Sequence, residues 1–202
     1  LDVDYLVVSG TGATVEKDNG CLKLMYITNE PSVAKIADEA GVDYLFVDME
    51  YIGKDIRQGG MDTVQSHHTF EDVKKIKSII KNAELLVRCN PIHEATDSYS
   101  SSKEEIDEIV NCGADIIMLP YFKTPEEVQT FVNLVGGRAK TMPLIETKEA
   151  AERLDEILEI EGIDELYIGL NDLHLSYGLT FMFQLLADGT VERLTGKIKA
   201  KG

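Results

Sequence analysis

From residue 23 onward, short apolar runs alternate with amphipathic stretches. Six runs read as strands: 23–28 (KLMYIT), 44–50 (YLFVDME), 84–90 (ELLVRCN), 115–122 (DIIMLPYF), 141–147 (TMPLIET) and 165–170 (ELYIGL). They are apolar almost throughout instead of alternating, which is the pattern of parallel strands covered on both faces. Helices with recognisable ends lie between them. Thr69 and Asp72 open one whose stripe is Val73, Ile76, Ile79 and Ile80. Thr124-Pro125-Glu126-Glu127 supplies a cap, a proline at the first helical position and a glutamate three beyond the cap. Thr147 caps a helix predicted to run to Ile160 on Ala151, Leu154, Ile157 and Leu158. Residues 102–112 turn Ile106, Ile109 and Val110 inward and stop at Gly113, as 31–40 stop at Gly41.

A strand–helix alternation this regular means βα units on a parallel sheet. Strand starts at 84, 115, 141 and 165 recur after 31, 26 and 24 residues, a spacing that suits an α/β TIM (β/α)8-type barrel better than an open sheet with long crossovers. The step from 44 to 84 is longer because residues 51–68 (YIGKDIRQGGMDTVQSHH) are inserted, and irregular stretches of that length are usually functional. Residues 4–9 (DYLVVS) are a seventh strand candidate, followed by a Gly-rich turn and an acidic turn over 16–20. Residues 175–186 are apolar with helical spacing, and 190–201 form a last amphipathic helix. The expected organisation is one domain over 1–202. It has an extra N-terminal strand and Gly-rich turn in 1–22, a barrel core in 23–180 and a helical segment in 181–202. Seven strands are one short of closure, so the barrel is expected to be incomplete or unconventionally closed at its C-terminal end, with 4–14 as a substitute stave.

Charge narrows the class of partner. Twenty Lys and Arg stand against 36 Asp and Glu, a net charge of −16. That excludes nucleic acid and anionic membrane as natural partners, since both need a positive surface, and it suits a cleft that attracts divalent cations. No run of about 18 apolar residues is present to span a bilayer, and the N-terminus lacks a basic leader. Cys21, Cys89 and Cys112, odd in number and without CxxC spacing, read as reduced thiols of a cytoplasmic protein. Gly10-Thr11-Gly12 has a GxG but Val15 where a third glycine belongs, so no dinucleotide site is read there.

Barrel chemistry gathers at the carboxyl ends of strands. Those ends carry Asp48 and Glu50, Arg88, Glu146, and then Asn171-Asp172. Carboxylates from neighbouring strands, with water and substrate oxygens, suit Mg2+ or Mn2+. A planar Arg facing that ion can stabilise a developing enolate. Each residue also has a plainer use: Glu146 can cap a helix, Asp172 can be the N-cap of 173–186, and Arg88 can bridge two strands.

Residues 41–50 (GVDYLFVDME), 85–91 (LLVRCNP), 113–120 (GADIIMLP), 142–147 (MPLIET) and 162–178 (GIDELYIGLNDLHLSYG) resemble the HpcH/HpaI aldolase and citrate lyase β-subunit family of pyruvate-type TIM barrels. The most specific part pairs Glu146 with Asp172, 26 residues apart. The resemblance implies a metal-dependent carbon–carbon lyase acting on 2-oxo acids, with pyruvate and an aldehyde as the other partners. It implies Glu146 and Asp172 as metal ligands, Arg88 as the group on the enolate oxygen, and the backbone at Asn171 and Asp172 as the seat of the substrate carboxylate. Asp48 and Glu50 match the acidic pair that orients water or a base. Members usually carry a histidine after that pair as the general base, whereas this chain has Tyr51, a poor base at neutral pH. A metal-bound hydroxide, or His67 or His68 folding back from the insertion, is then expected to take its place. A second reading is a citryl- or malyl-type acyl-CoA lyase, with Lys54, Arg57, Lys74, Lys75 and Lys77 as a basic rim for CoA. A third is a non-catalytic derivative of the fold. Family barrels form homo-oligomers through helices after the sixth strand, which makes 175–186 either an interface or a core helix.

Overall fold

The computed structural model of the protein describes residues 12–15, 22–53 and 68–201. In chain order these form β1 (Gly12–Val15), β2 (Leu22–Ile27), α1 (Pro31–Glu39), β3 (Tyr44–Asp48), α2 (Phe70–Ile79), β4 (Glu84–Arg88), α3 (Ser102–Asn111) and β5 (Ile116–Leu119). There follow α4 (Pro125–Val135), β6 (Lys140–Ile145), α5 (Lys148–Glu152), α6 (Leu154–Ile157), β7 (Tyr167–Ile168), α7 (Leu170–Ser176), α8 (Gln184–Ala187) and α9 (Thr190–Lys201). Strand order in the sheet follows the chain from β1 to β7. Strands β2 to β7 are all parallel, and they curl into the half-barrel of an incomplete TIM-type fold.

A recurring tripeptide sets the register. Gly41-Val-Asp43, Gly113-Ala-Asp115 and Gly162-Ile-Asp164 each end a helical segment on a glycine with φ near +90° (88°, 92° and 90°). Only glycine adopts that conformation without strain. Two residues on, the aspartate pairs twice with the start of the preceding strand. Leu24 N–H donates to Asp43 Oδ2 at 2.7 Å, Leu85 N–H to Asp115 Oδ2 at 2.8 Å, and Thr141 N–H to Asp164 Oδ2 at 2.8 Å. In return the aspartate N–H donates to the carbonyl of Leu24, Leu85 or Thr141. Asp43 and Asp115 also accept, on their own carbonyls, the N–H of Glu84 and Lys140 on the strand beyond. Each aspartate therefore satisfies strand-end groups that would otherwise be orphaned, and it ties neighbouring strands in one register.

Register decides facing, because side chains alternate along a strand. Leu45, Val47, Leu85, Val87, Ile117 and Leu119 face the helices and are buried against Val73, Ile76, Ile106, Ile109, Val128 and Phe131. The other parity points into the barrel. Met25, Tyr44, Leu86, Ile116, Met118, Met142, Leu144 and Tyr167 form a separate buried layer there. Reciprocal capping boxes start α2 (Thr69 with Asp72), α3 (Ser101 with Glu104) and α4 (Thr124 with Glu127). The described cysteines, Cys89 and Cys112, are free and buried.

Several expectations are corrected. Residues 4–9 and the turn at 16–20 lie outside the described residues. Gly12–Val15, which overlaps the end of the expected 4–14 stave, is an antiparallel strand on the outer edge of β2. It closes no gap to β7 among the described residues. The helix expected from Thr147 to Ile160 is broken at Arg153 (φ −99°, ψ 17°), which ends α5 and precedes α6. The helix expected over 175–186 also fails: α7 starts earlier and ends at Ser176, Gly178 turns at φ 70°, and α8 covers only Gln184–Ala187. The sixth expected strand shrinks to Tyr167–Ile168 because Gly169 already caps α7.

Two tests follow from this architecture. Asp115→Ala strips the acceptor from the Leu85 N–H and is expected to lower unfolding free energy by about 2–3 kcal/mol in urea titrations, while Asp115→Asn, which keeps an oxygen there, loses less. Near the amino-terminal ends of the strands Glu165 is 6% exposed, and burial pushes its carboxyl up to about 7 against the attraction of Lys140 and Lys23. Its pKa is raised on folding, so below its ordinary value of 4.5 both states are neutral there. Between 4.5 and about 7 only the folded state keeps the proton, and stability falls as pH rises through that window. Glu165→Gln is therefore expected to match wild type near pH 4.5 and to exceed it by about 1–2 kcal/mol near pH 8, allowing for water that reaches the carboxyl.

Candidate active site

Above the apolar layer, toward the carboxyl ends of the strands, the inward parity becomes charged. Asp48 and Arg88 are direct register partners on β3 and β4. The guanidinium lies fork to fork on the carboxylate, Nε to Oδ1 at 2.9 Å and Nη2 to Oδ2 at 2.8 Å. Glu50 continues the same parity; its N–H donates to Asp48 Oδ1 at 3.2 Å, and its Oε2 lies 3.4 Å from Arg88 Nε. Burial by itself would weaken the Arg88 charge, but Asp48 and then Glu50 hold it firmly protonated. Phe46, one layer down, presents its ring 5.4 Å from the guanidinium carbon.

Glu146, immediately after β6, points into the same space and is 4% exposed. Burial first, and then Glu50 and Asp172, push its carboxyl up to about 8, against the pull of Arg88 and of a backbone N–H. That N–H belongs to Tyr121, which donates to Glu146 Oε1 at 2.8 Å. Tyr121 has φ 49°, the one non-glycine in the left-handed region among the described residues. Backbone strain of this kind costs of the order of 1 kcal/mol and gathers at functional sites. Gly169 makes room on the other side. A Cβ there would sit 3.0 Å from Glu146 Cβ and 3.1 Å from Glu146 Oε2. Asp172 stands in the first turn of α7, 7% exposed, with the Asn171 amide 3.5 Å from its Oδ1. The helix cap is Gly169, so Asp172 is not the N-cap that its position allowed.

Asp48, Glu50, Arg88, Glu146 and Asp172 are thus brought to one rim: Asp48 and Glu50 lie on the guanidinium, and Glu146 feels the charges of Glu50, Arg88 and Asp172. Among the described residues no three His, Cys, Asp or Glu side chains converge closely enough to enclose a metal. Two carboxylates with water and substrate oxygens are nevertheless what a Mg2+ site asks of a protein, and the donor set of Glu146 and Asp172 fits such an ion.

The base candidates fare differently. Tyr51 is 49% exposed and sets its ring edge-on to Tyr99 at 6.4 Å. Burial, Glu105 and Tyr99 raise its hydroxyl further. His68 accepts the Asp48 N–H on Nδ1 at 2.9 Å, completing the β3 ladder. In the tautomer this implies, its other nitrogen carries hydrogen and cannot take a proton. His67, Lys54 and Arg57 lie outside the described residues. The helical lysines proposed for CoA each meet a carboxylate: Lys74 meets Glu108 at 2.9 Å, Lys75 meets Glu71 at 4.0 Å and Lys77 meets Asp115 at 2.6 Å.

Sequence reasoning missed Gly169, Tyr121, and the pair Asn90 and Glu105. Glu105 had a signal, since it shares the buried stripe Ser102, Glu105, Ile106 and Ile109 at helical spacing. Asn90 and Gly169 had weaker ones, being two residues beyond Arg88 and Tyr167 with inward parity.

Fold and rim together define the class: a half-barrel of βα units whose polar groups gather at the carboxyl ends of its strands. The particular family follows from comparison. The HpcH/HpaI aldolase/citrate lyase model matches residues 23–182, and the chain belongs to that family. It is 22% identical over 161 residues to a hydroxypyruvate/pyruvate aldolase of Roseovarius nubinhibens, covering 74% of this chain and 62% of that one. Against a 2-keto-3-deoxy-L-rhamnonate aldolase of Escherichia coli the identity is 25% over 177 residues, covering 72% and 58%. The chain therefore spans less than two thirds of the length of these relatives. The solved HpcH/HpaI aldolase of Desulfitobacterium hafniense superposes with a TM-score of 0.67 at 20% identity, covering 88% of this chain and 73% of that one, and so shares the fold. The family is generally dependent on a divalent metal.

Gly169→Ala, which needs no change of backbone conformation (φ −89°), is expected to push Glu146 aside by a few tenths of an ångström. Calorimetry should then find Mn2+ affinity lowered by about 10-fold or more with the thermal midpoint little changed. Unchanged affinity would remove Glu146 from the ion's surroundings.

Proposed function

We propose that the protein is a divalent-metal-dependent carbon–carbon lyase of the pyruvate aldolase class, which cleaves or forms 2-oxo acids through a pyruvate enolate. The observation that carries this reading is the guanidinium of Arg88, held by Asp48 on two of its nitrogens and facing Glu146 across the rim. Locked in this way, Arg88 keeps Nη1 for a substrate oxygen. A fixed, permanently charged donor is what a developing enolate oxygen requires.

Glu146 and Asp172 would hold Mg2+ or Mn2+, and the ion when bound would polarise the 2-oxo group and neutralise the excess of carboxylates. The chain's own residues do the rest. Tyr121 N–H and the space left by Gly169 aim the Glu146 carboxylate inward. The backbone at Asn171 and Asp172 seats the substrate carboxylate. Glu50, beside Arg88 and close enough to Glu146 to raise its pKa, orients the water that carries the proton. The relatives, one named a hydroxypyruvate/pyruvate aldolase and one a 2-keto-3-deoxy-L-rhamnonate aldolase, support a 2-oxo acid as the substrate class. The exposed Phe181, Phe183 and Leu186, with the two phenyl rings edge-to-face at 5.2 Å, support assembly with further copies of the chain. Among the described residues no helix is long and apolar enough to cross a membrane.

Exchange of the pyruvate methyl protons in deuterated water, followed by NMR, tests the reading without knowledge of the aldehyde. Wild type is expected to exchange only with Mg2+ or Mn2+, and Arg88→Ala to lose about 10²–10³-fold in rate. Glu146→Gln and Asp172→Asn are each expected to abolish measurable metal binding by calorimetry. Metal binding intact in both, or exchange indifferent to metal, refutes the assignment.

A further inference from the structure

A buried amide stands between the rim and the helix layer with all its hydrogen-bonding capacity used. Asn90, two residues beyond Arg88 and 2% exposed, accepts on Oδ1 both the Tyr51 N–H and the Ile52 N–H, each at 2.9 Å. Its Nδ2 donates to the Met49 carbonyl at 3.4 Å and to Glu105 Oε1 at 2.7 Å. The Asn90 backbone N–H donates to the same Glu105 oxygen at 3.1 Å. Glu105, on α3 and 5% exposed, thereby decides which end of the amide is oxygen and which is nitrogen.

The three backbone groups that Asn90 grips belong to residues 49, 51 and 52, so they bracket Glu50. No regular element holds this stretch, since β3 ends at Asp48. A buried carboxylate such as Glu105 is expensive to keep, and burial raises its pKa even with Asn90 beside it. Its side-chain partner is the Asn90 amide, whose other bonds all go to the backbone around Glu50.

We propose that Asn90, oriented by Glu105, is a positioning residue that fixes Glu50 against Arg88 and thereby sets the competence of the site for enolate formation. This rests on the reading of Arg88 given above. Asn90 touches no reacting atom in that reading. It acts by denying residues 49–52 any other path, and displacement of a catalytic group by about 1 Å is enough to cost on the order of 100-fold in rate.

Metal-dependent proton exchange of pyruvate is again the assay. Asn90→Ala is expected to reduce the maximal exchange rate about 100-fold, with the pyruvate concentration at half-maximal rate changed less than about threefold. Asn90→Asp keeps the oxygen that Tyr51 and Ile52 need but sets a second carboxylate against Glu105, and it is expected to be nearly as slow. The double variant Asn90→Asp/Glu105→Gln exchanges amide for carboxylate and restores a donor and an acceptor across the contact. It is expected to regain most of the lost rate. A merely structural pair would show rate following the fraction of folded protein, so circular dichroism and thermal midpoints are read on every variant. Asn90→Ala within about threefold of wild type while folded, or a double variant no faster than Asn90→Asp, overturns the proposal and leaves the lyase reading standing. Wild type without metal-dependent exchange overturns both.

Discussion

The register of the parallel sheet is the constraint on which the rest depends, and three Gly-x-Asp turns impose it. A parallel ladder has no tight hairpin to fix its alignment, and a slip of one residue would send every inward side chain outward. Asp43, Asp115 and Asp164 prevent that slip by the same pair of hydrogen bonds at the starts of β2, β4 and β6. Once the bottom of the sheet is pinned, Asp48 must meet Arg88 at the top. Glu146 must then point to the same side as Leu144. The chemistry at one end of the strands is thus a consequence of bonds made at the other.

That arrangement concentrates negative charge where the dielectric is low. Asp48, Glu50, Glu146 and Asp172 are each less than a tenth exposed, and Arg88 lies against Asp48 and Glu50. The Asp48–Arg88 pair is self-sufficient, with two parallel bonds and ideal fork geometry. Its removal of one carboxylate and one cation from the account leaves Glu50, Glu146 and Asp172 still crowded. Burial first, and then Glu50 and Asp172, hold the Glu146 carboxyl above its ordinary value.

Much of this was legible from the chain alone, and the reasons are local. Helix starts at Thr69 and Thr124 carry their caps within four residues, so sequence and structure agree. The parity of Asp48 with Glu50, and the strand-end places of Arg88 and Glu146, follow from period-two alternation. What was not legible is relational. Gly41 and Gly113 were read only as helix ends and Gly162 was not singled out, because the grip of each turn on the preceding strand needs a partner 19 to 30 residues away. The break at Arg153 and the early end of α7 at Ser176 are tertiary outcomes that an apolar stripe does not disclose. Tyr121 gave no sign at all, since nothing in Leu-Pro-Tyr-Phe announces a left-handed tyrosine. His68 was read as a candidate base by its type, whereas its Nδ1 is committed to the Asp48 backbone.

The loops divide the labour among themselves in a way that no single strand end reveals. Glu146 leaves from β6, yet its direction is set by the N–H of Tyr121 after β5 and by the missing side chain of Gly169 after β7. Glu50 leaves from β3, yet the backbone on either side of it, at residues 49, 51 and 52, is gripped by Asn90 after β4, and Asn90 in turn by Glu105 on α3. Strand parity sends each acid inward, and groups on neighbouring loops then fix where Glu146 and Glu50 sit. A rim built in this manner tolerates the replacement of an exposed group such as Tyr51, whose ring turns outward to Tyr99 while its N–H stays on Asn90. The side chain at that position can change its chemistry without disturbing the position of Glu50, and the proton-handling task can pass to another group while the anionic frame is kept.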